Sequence, residues 1–449
     1  MMNVLRCVLS LIVVGAAGPA SAGPGEKGLE AAAKDFVALL AREDFPAAVE
    51  RFDATMTRVM PAAKLKAVWK TVTQQLGPFQ RPLGVQLQTV RQFRVAVVAC
   101  QFAKAALDVK VVFDKQGKVA GLFFAPNTSH TKYRPPKYAR RDAFAERQVQ
   151  VGSGEWALGG TLAVPKQGGP FAAVVLVHGS GPHDRDETVF AHKPFRDLAW
   201  GLATRGIAVL RYDKRSKIHA QKMATMTTPP TVKEEVIDDC LAAVALLRKT
   251  PQIDKRRIFV LGHSLGGMLA PRIARRGPGI AGLIILAGPT RPLEDLMLEQ
   301  ISYLARLDGS VSAEEQEQIN KVKAMVQRVK GPKLSPTTPA KELPGAPAAY
   351  WLDLRGYNPA EAAKALPRPM LILQGGRDYQ VTVRDFEGWR KHLSARRDVQ
   401  LKLYPDLNHL FVAGKGKSQP AEYFQPGNVS EAVVDDIARW IQAQKGTSE

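Results

Sequence analysis

A serine hydroxyl attacks a carbonyl only when a neighbouring base takes its proton. This chain holds a serine in a setting suited to that chemistry. Gly262-His263-Ser264-Leu265-Gly266-Gly267 follows the apolar run 258–261 and precedes a helical segment. Gly-x-Ser-x-Gly between a strand and a helix makes a sharp turn that lifts the hydroxyl from the carboxyl end of a sheet. Gly262 and Gly266 remove Cβ atoms that would collide in the turn, and Gly267 lets the helix start close to the sheet. The helix N-terminus then sets N–H groups and a positive dipole end beside a developing oxyanion. The competing reading is a glycine-rich turn carrying an idle serine.

The base is expected at His409, in Tyr404-Pro405-Asp406-Leu407-Asn408-His409, just past the last strand of the pattern. His263 adjoins the nucleophile but is expected to point into the sheet, His392 falls on a helical segment and His130 in a linker. The acid that orients the base should lie between nucleophile and base in chain order. Asp378, in Gly375-Gly376-Arg377-Asp378, lies just beyond the run 370–373, whereas none of Asp353, Asp385 and Asp406 immediately follows a buried strand. Its carboxylate would fix the tautomer of His409; the plainer reading is a turn residue capping the next helix. Two backbone donors are needed for the oxyanion. The Leu265 N–H is one, and the loop His178-Gly179-Ser180-Gly181-Pro182 offers the other through the Ser180 N–H. His178 reads as a structural residue beneath that loop.

These residues require a sheet, and the chain supplies its pattern. Continuous apolar runs at 172–177, 207–210, 258–261, 283–286 and 370–373, with a mixed one at 399–403, have the length of strands buried on both faces. Helical segments at 195–205, 232–248 and 265–275 alternate with them, which predicts a largely parallel sheet covered on both sides. One insertion, 289–366, is too long for a simple crossover and is expected to form a helical cap over the site.

Ahead of this lies a different pattern. Residues 28–125 read as a small α+β domain: helices over 29–40, 45–52 and 62–76, then strands over 85–90, 94–102, 106–113 and 119–124. Asp114-Lys115-Gln116-Gly117 has hairpin chemistry. Helices followed by an antiparallel meander resemble, in element order, the nuclear-transport-factor-like (NTF2-like) folds and a small domain of unknown function found before some secreted bacterial hydrolases. Pro126, Pro135 and Pro136 among basic residues mark 126–147 as a linker.

From residue 148 to the end the chain resembles the α/β-hydrolase superfamily. It is most similar to secreted bacterial serine esterases near the dienelactone-hydrolase and serine-aminopeptidase-like groups. The stretches that carry the resemblance are 178–186, Leu210-Arg211-Tyr212-Asp213-Lys214-Arg215, 262–267, 375–378 and Asn408-His409. The resemblance implies a Ser264–Asp378–His409 triad, an acyl-enzyme and no cofactor. Arg215-Ser216-Lys217 departs from it, because many relatives carry a glycine after the arginine. The dienelactone hydrolases' own cysteine nucleophile is absent.

Composition limits the alternatives. The 449 residues are 45% hydrophobic and 23% charged, a globular balance. The net charge of +21 is spread along the chain without a recognisable nucleic-acid fold, so a basic enzyme with a small-molecule ester substrate is expected, and no nucleic-acid partner. Arg6, the apolar run 8–17 and Ala20-Ser21-Ala22 read as a signal peptide over 1–22, with export to the periplasm or beyond. The run is too short to span a bilayer, so no integral membrane segment is expected after cleavage. Cys100 and Cys240 do not form a disulfide framework, and the absence of a His cluster or paired C-x-x-C disfavours metal catalysis. A peptidase or amidase with the same triad stays open, and it would need an acidic group for an α-ammonium, drawn from Glu294, Asp295 or Glu299. A non-catalytic binding protein on this scaffold is the third reading. Asp184, Arg185, Asp186, Asp213 and Arg215 are read by default as ion pairs bracing two loops, and Tyr350 and Trp351 as acyl-pocket or cap-packing aromatics.

Overall fold

The computed structural model describes residues 25–90, 93–127 and 133–446. The expected signal peptide at 1–22 and His130 therefore lie outside the described residues. The chain divides into two compact units, one running to Lys132 and including Pro420–Pro426, the other formed by Tyr133–Gln419 and the chain from Gly427 onward.

In the first unit, α1 (Glu26–Ala41) buries Leu29, Ala33, Phe36, Val37 and Leu40, which share one face at helical spacing. α2 (Ala62–Leu76) buries Trp69, whose ring centroid lies 5.7 Å from that of Phe102 and 6.2 Å from those of Phe79 and Phe124. The strands β1 (Phe79–Val90), β2 (Phe93–Phe102), β3 (Ala106–Phe113) and β4 (Val119–Pro126) form an antiparallel meander in that order. Asp114 closes the last hairpin by accepting the N–H groups of Gln116 and Lys118. A short 3₁₀ turn, Pro420–Phe424, completes this unit with Tyr423 and Phe424 buried.

The second unit is built on β5 (Phe144–Val151), β6 (Leu158–Pro165), β7 (Phe171–Val177), β8 (Ala208–Tyr212), β9 (Ile253–His263), β10 (Gly282–Leu286), β11 (Met370–Gly375) and β12 (Val399–Tyr404). Their order in the sheet is β12-β11-β10-β9-β7-β8-β6-β5. The six strands from β12 to β8 are parallel, and β6 and β5 complete the edge antiparallel. Helices α3 (Pro194–Thr204), α4 (Asp238–Arg248) and α5 (Leu265–Arg276) cross between the strands. Helices α6 (Leu293–Ala305), α7 (Ala313–Lys330) and α8 (Ala348–Leu354) lie between β10 and β11, and α9 (Val383–Leu393) and α10 (Glu431–Ala443) follow.

The continuous apolar runs have a direct physical reason. Along β7, Ala173, Val175 and Val177 face a core shared with α4, α5 and α9, while Ala172, Val174 and Leu176 face one shared with α3 and α10. A strand covered on both faces has no position left for a polar residue.

The expected linker ends sooner than residue 147. Phe144–Val151 is strand β5, and Tyr133 and Tyr138 pack against the α3-side core, so this unit begins at Tyr133 rather than at 148. The segment reads as a connector because an edge strand tolerates charge: Glu146, Arg147, Gln148 and Gln150 interrupt its apolar ends. The insertion after β10 has its own small core of Val329, Leu334, Leu343, Ala348 and Trp351, so Trp351 serves packing there. Among the described residues no helix is long and apolar enough to cross a membrane. Cys100 and Cys240 are buried free thiols.

Candidate active site

Ser264 ends the strand β9 turn and caps α5, with φ 53° and ψ −117°. A non-glycine residue in this region is strained, at a cost of about 1–3 kcal/mol. The surroundings hold it there. The Ser264 N–H donates to the carbonyl of Leu286 on β10 at 2.9 Å, and its own carbonyl accepts from Met268 at 3.0 Å. A Cβ on Gly262 would run into the Gly266 carbonyl, and one on Gly266 into the Val177 carbonyl. Neither obstacle is a side chain that can turn aside. The two glycines are therefore what lets β9, the elbow and α5 pack together.

Asp378 and His409 are brought together from loops after β11 and β12. Asp378 Oδ2 lies 2.6 Å from His409 Nδ1, with both side chains almost wholly buried. The other carboxylate oxygen accepts the N–H groups of Gln380 at 2.7 Å and Val381 at 3.0 Å, and Gln374 Nε2 donates to Oδ2. A carboxylate with this many donors is fixed in orientation, and so is the ring it holds. Pairing through Nδ1 leaves Nε2 for proton transfer. The preceding Asn408 locks the loop, its Oδ1 accepting from Leu410 and Val412. Burial pushes the His409 imidazole below the ordinary histidine value, although the Asp378 charge pulls the other way.

The loop after β7 lies against the elbow: a Cβ on Gly179 would sit 3.1 Å from that of Ser264. The Gly179 N–H is already committed to Glu187 Oε1 at 2.7 Å. Its carbonyl accepts from Lys214 Nζ at 2.9 Å. Ser180 follows this clamped residue in the chain, and Leu265 opens α5. The first turn of a helix has N–H groups without intrahelical partners, and Leu265 lies in it. His178 Nε2 faces the Asp184 carbonyl at 3.0 Å, and burial pushes its pKa down to about 3. It is a neutral prop under the loop.

Glu187 and Lys214, which sequence reasoning passed over, and His263, which it read as pointing into the sheet, complete the surroundings. Glu187, buried and with φ 51°, places Oε2 2.9 Å from His263 Nδ1. His263 does not merely point into the sheet: its Nε2 lies 3.0 Å from the main-chain oxygen of His409. Lys214 is buried and pairs with Glu235 at 3.1 Å, and Glu235 also accepts from the Tyr350 hydroxyl at 2.9 Å. The run Asp184-Arg185-Asp186-Glu187 was a visible signal of buried acids near the loop.

The remaining polar residues brace the scaffold. Arg185 pairs with Asp213 at 2.5 Å, Asp186 with Arg211, Lys193 and Arg196, and Arg215 with Asp239. Of the acids open to an α-ammonium, Asp295 is held by Lys330 and Glu299 by Arg291. Glu294 lines a cavity of about 350 Å³ with Thr290, Lys330 and Arg355. His392 stays on α9, its Nδ1 near the Gly388 carbonyl, away from these loops.

Comparison with known proteins agrees with this architecture. Residues 174–425 match the alpha/beta hydrolase family, and residues 33–122 match a family of proteins of unknown function, DUF3887. The esterase EstD of Thermotoga maritima is 39% identical over 406 residues, covering 90% of this chain and 93% of that protein. The monoacylglycerol lipase of Mycolicibacterium smegmatis is 24% identical over 61% of this chain and 88% of its own. The solved structure of Est1E from Butyrivibrio proteoclasticus aligns with a TM-score of 0.43 at 17% identity, over 66% of this chain and 98% of that one.

Proposed function

Because the chain belongs to the alpha/beta hydrolase family, we propose that it hydrolyses carboxylic esters through an acyl-enzyme, with Ser264 as nucleophile. The observation that carries this reading is the buried Asp378–His409 pair, 2.6 Å apart, whose imidazole packs 4.6 Å from the ring of His263, the residue before the strained Ser264. His409 Nε2 removes the Ser264 proton as Oγ attacks the ester carbon. The N–H groups of Leu265 and Ser180 hold the oxyanion, a term worth roughly 3–4 kcal/mol per donor. His409 returns the proton to the leaving alkoxide. A water, deprotonated in turn by His409, then attacks the acyl-enzyme and releases the acid. Asp378 stays ionised and stabilises the imidazolium formed in each half.

The name of the 39%-identical relative supports esters over amides. The proposal extends to export from the cytoplasm, on the strength of Arg6, the apolar run 8–17 and Ala20-Ser21-Ala22. The test is turnover of p-nitrophenyl esters of graded acyl length and of aminoacyl p-nitroanilides by the parent and by Ser264→Ala. Ester turnover that disappears in the variant is the expected result. Cleavage of anilides alone would move the enzyme to the peptidases, and equal rates in the two proteins would remove Ser264 from the mechanism.

A further inference from the structure

A neutral imidazole has one N–H and one acceptor nitrogen. Around His263 this rule meets a conflict. Nδ1 faces the Glu187 carboxylate at 2.9 Å, and Nε2 faces the main-chain oxygen of His409 at 3.0 Å. With Glu187 ionised both neighbours are acceptors, and only the doubly protonated ring presents a proton to each. The Glu187 carboxylate requires the same solution from its side. It is buried, with one oxygen on the Gly179 N–H, and a carboxylate in such a place needs an opposite charge.

The other titratable groups around the pair do not supply that charge. His178 and His183 both face Glu187, and burial holds each below the ordinary histidine value. Lys214 lies nearby but answers Glu235. Asp378 and His409, which face His263 from the other side, are paired with each other. For His263 itself, burial opposes the charge, but Glu187 outweighs it and raises the ring above its usual value.

We infer that His263 is an imidazolium at neutral pH that, with Glu187, acts as a positioning pair joining the oxyanion loop to the loop of the catalytic histidine. Its Nδ1 makes an ion-pair contact, not aligned as a hydrogen bond, with the carboxylate that holds Gly179, the residue before the proposed Ser180 donor. Its Nε2 grips the backbone of the base itself. Because His263 precedes Ser264 in the chain, the three moving parts of the reaction are referred to one ring. Glu187 adopts a left-handed φ of 51° to present its carboxylate, a conformation that glutamate seldom takes. The inference rests on the proposed roles of Ser264, His409 and Ser180 for its catalytic consequence, but the charge state of His263 stands apart from them.

Two measurements on the full chain test it. Nitrogen-15 NMR of histidine-labelled enzyme should show one ring, assigned to His263 through its loss in His263→Gln, with both nitrogens protonated at pH 7.5. In Glu187→Gln, which keeps the shape and removes the charge, that ring should carry a single proton. The same variant should lose at least tenfold in kcat on a p-nitrophenyl ester with KM within twofold, because the ties are to the oxyanion loop and the base. A singly protonated His263 in the parent would overturn the inference. So would a Glu187→Gln enzyme with the parent's kcat. The NMR result on the parent needs no variant to fold and no substrate. A parent that cleaved no ester would therefore count against the esterase reading and leave the imidazolium to be judged alone.

Discussion

At the scale of single residues, the site works by assigning protons. In the proposed mechanism His409 must be neutral to accept from Ser264, and burial lowers its pKa, so the acid limb of kcat/KM should fall below the ordinary histidine value of 6.5. A limb at or above that value would contradict the burial of the ring. Asp378→Asn keeps the shape but lets the imidazole take the wrong tautomer, and kcat should drop by roughly 10³- to 10⁴-fold with little change in melting temperature. Glu187 and His263 carry opposite linkage. Burial opposes the Glu187 charge, but His263 wins and lowers it from 4.5 to about 2, so its stabilisation is present above 4.5 and lost as the pH falls through 2. The raised His263 contributes fully below 6.5 and loses its contribution as the pH rises through its own higher value. The melting temperature of the parent should thus exceed that of Glu187→Gln most clearly between pH 4.5 and 6.5. Equal curves would refute the pairing. The positions of Ser264, Asp378 and His409 past β9, β11 and β12 were legible in the sequence because each follows a strand-like run. The Glu187–His263 pair was not, since nothing but the folded loops brings those two side chains together.

At the scale of elements, the elbow is a contact between backbones. Gly262→Ala must push a methyl group into the Gly266 carbonyl, and no rotamer relieves it. The expected outcome is a destabilisation of about 1–3 kcal/mol and a loss of ester turnover larger than stability explains, read by denaturant melts and kcat together. An alanine variant with the parent's rate would mean that β9 and α5 can part without moving Ser264. The parallel strands were legible where burial on both faces leaves an uninterrupted apolar signature, as in β7, β10 and β11, but not over the polar start of β9, Ile253–Arg257, and only as a mixed run in the half-exposed β12. β5 and β6 were not legible. Phe144 and Val151 are buried at the two ends of β5, but the charges between them belong to an edge and look like a connector. Helix α4 is likewise preceded by a π-helical turn, Lys233–Ile237, that apolar spacing does not distinguish from the helix itself.

At the scale of the whole molecule, two units of different construction share one chain, and the smaller is not continuous in sequence. Its meander and helices were readable from alternation and helical spacing. The contribution of Pro420–Pro426 was not, because a stretch so short carries no period. Tyr423 within it is fully buried, and Tyr423→Ala should remove roughly 3–5 kcal/mol from the small unit. Hydrogen exchange over β2 and β3 measures this, with faster exchange expected and unchanged protection counting against the assignment. The split also sets a timetable. A ribosome delivers the residues of α1 to β4 first, and domains usually fold in the order they emerge. Here the last piece arrives only after nearly the whole hydrolase unit has been translated. The small unit is the first to be made and among the last that can be finished, so its nascent form must persist incomplete while the rest of the protein is synthesised.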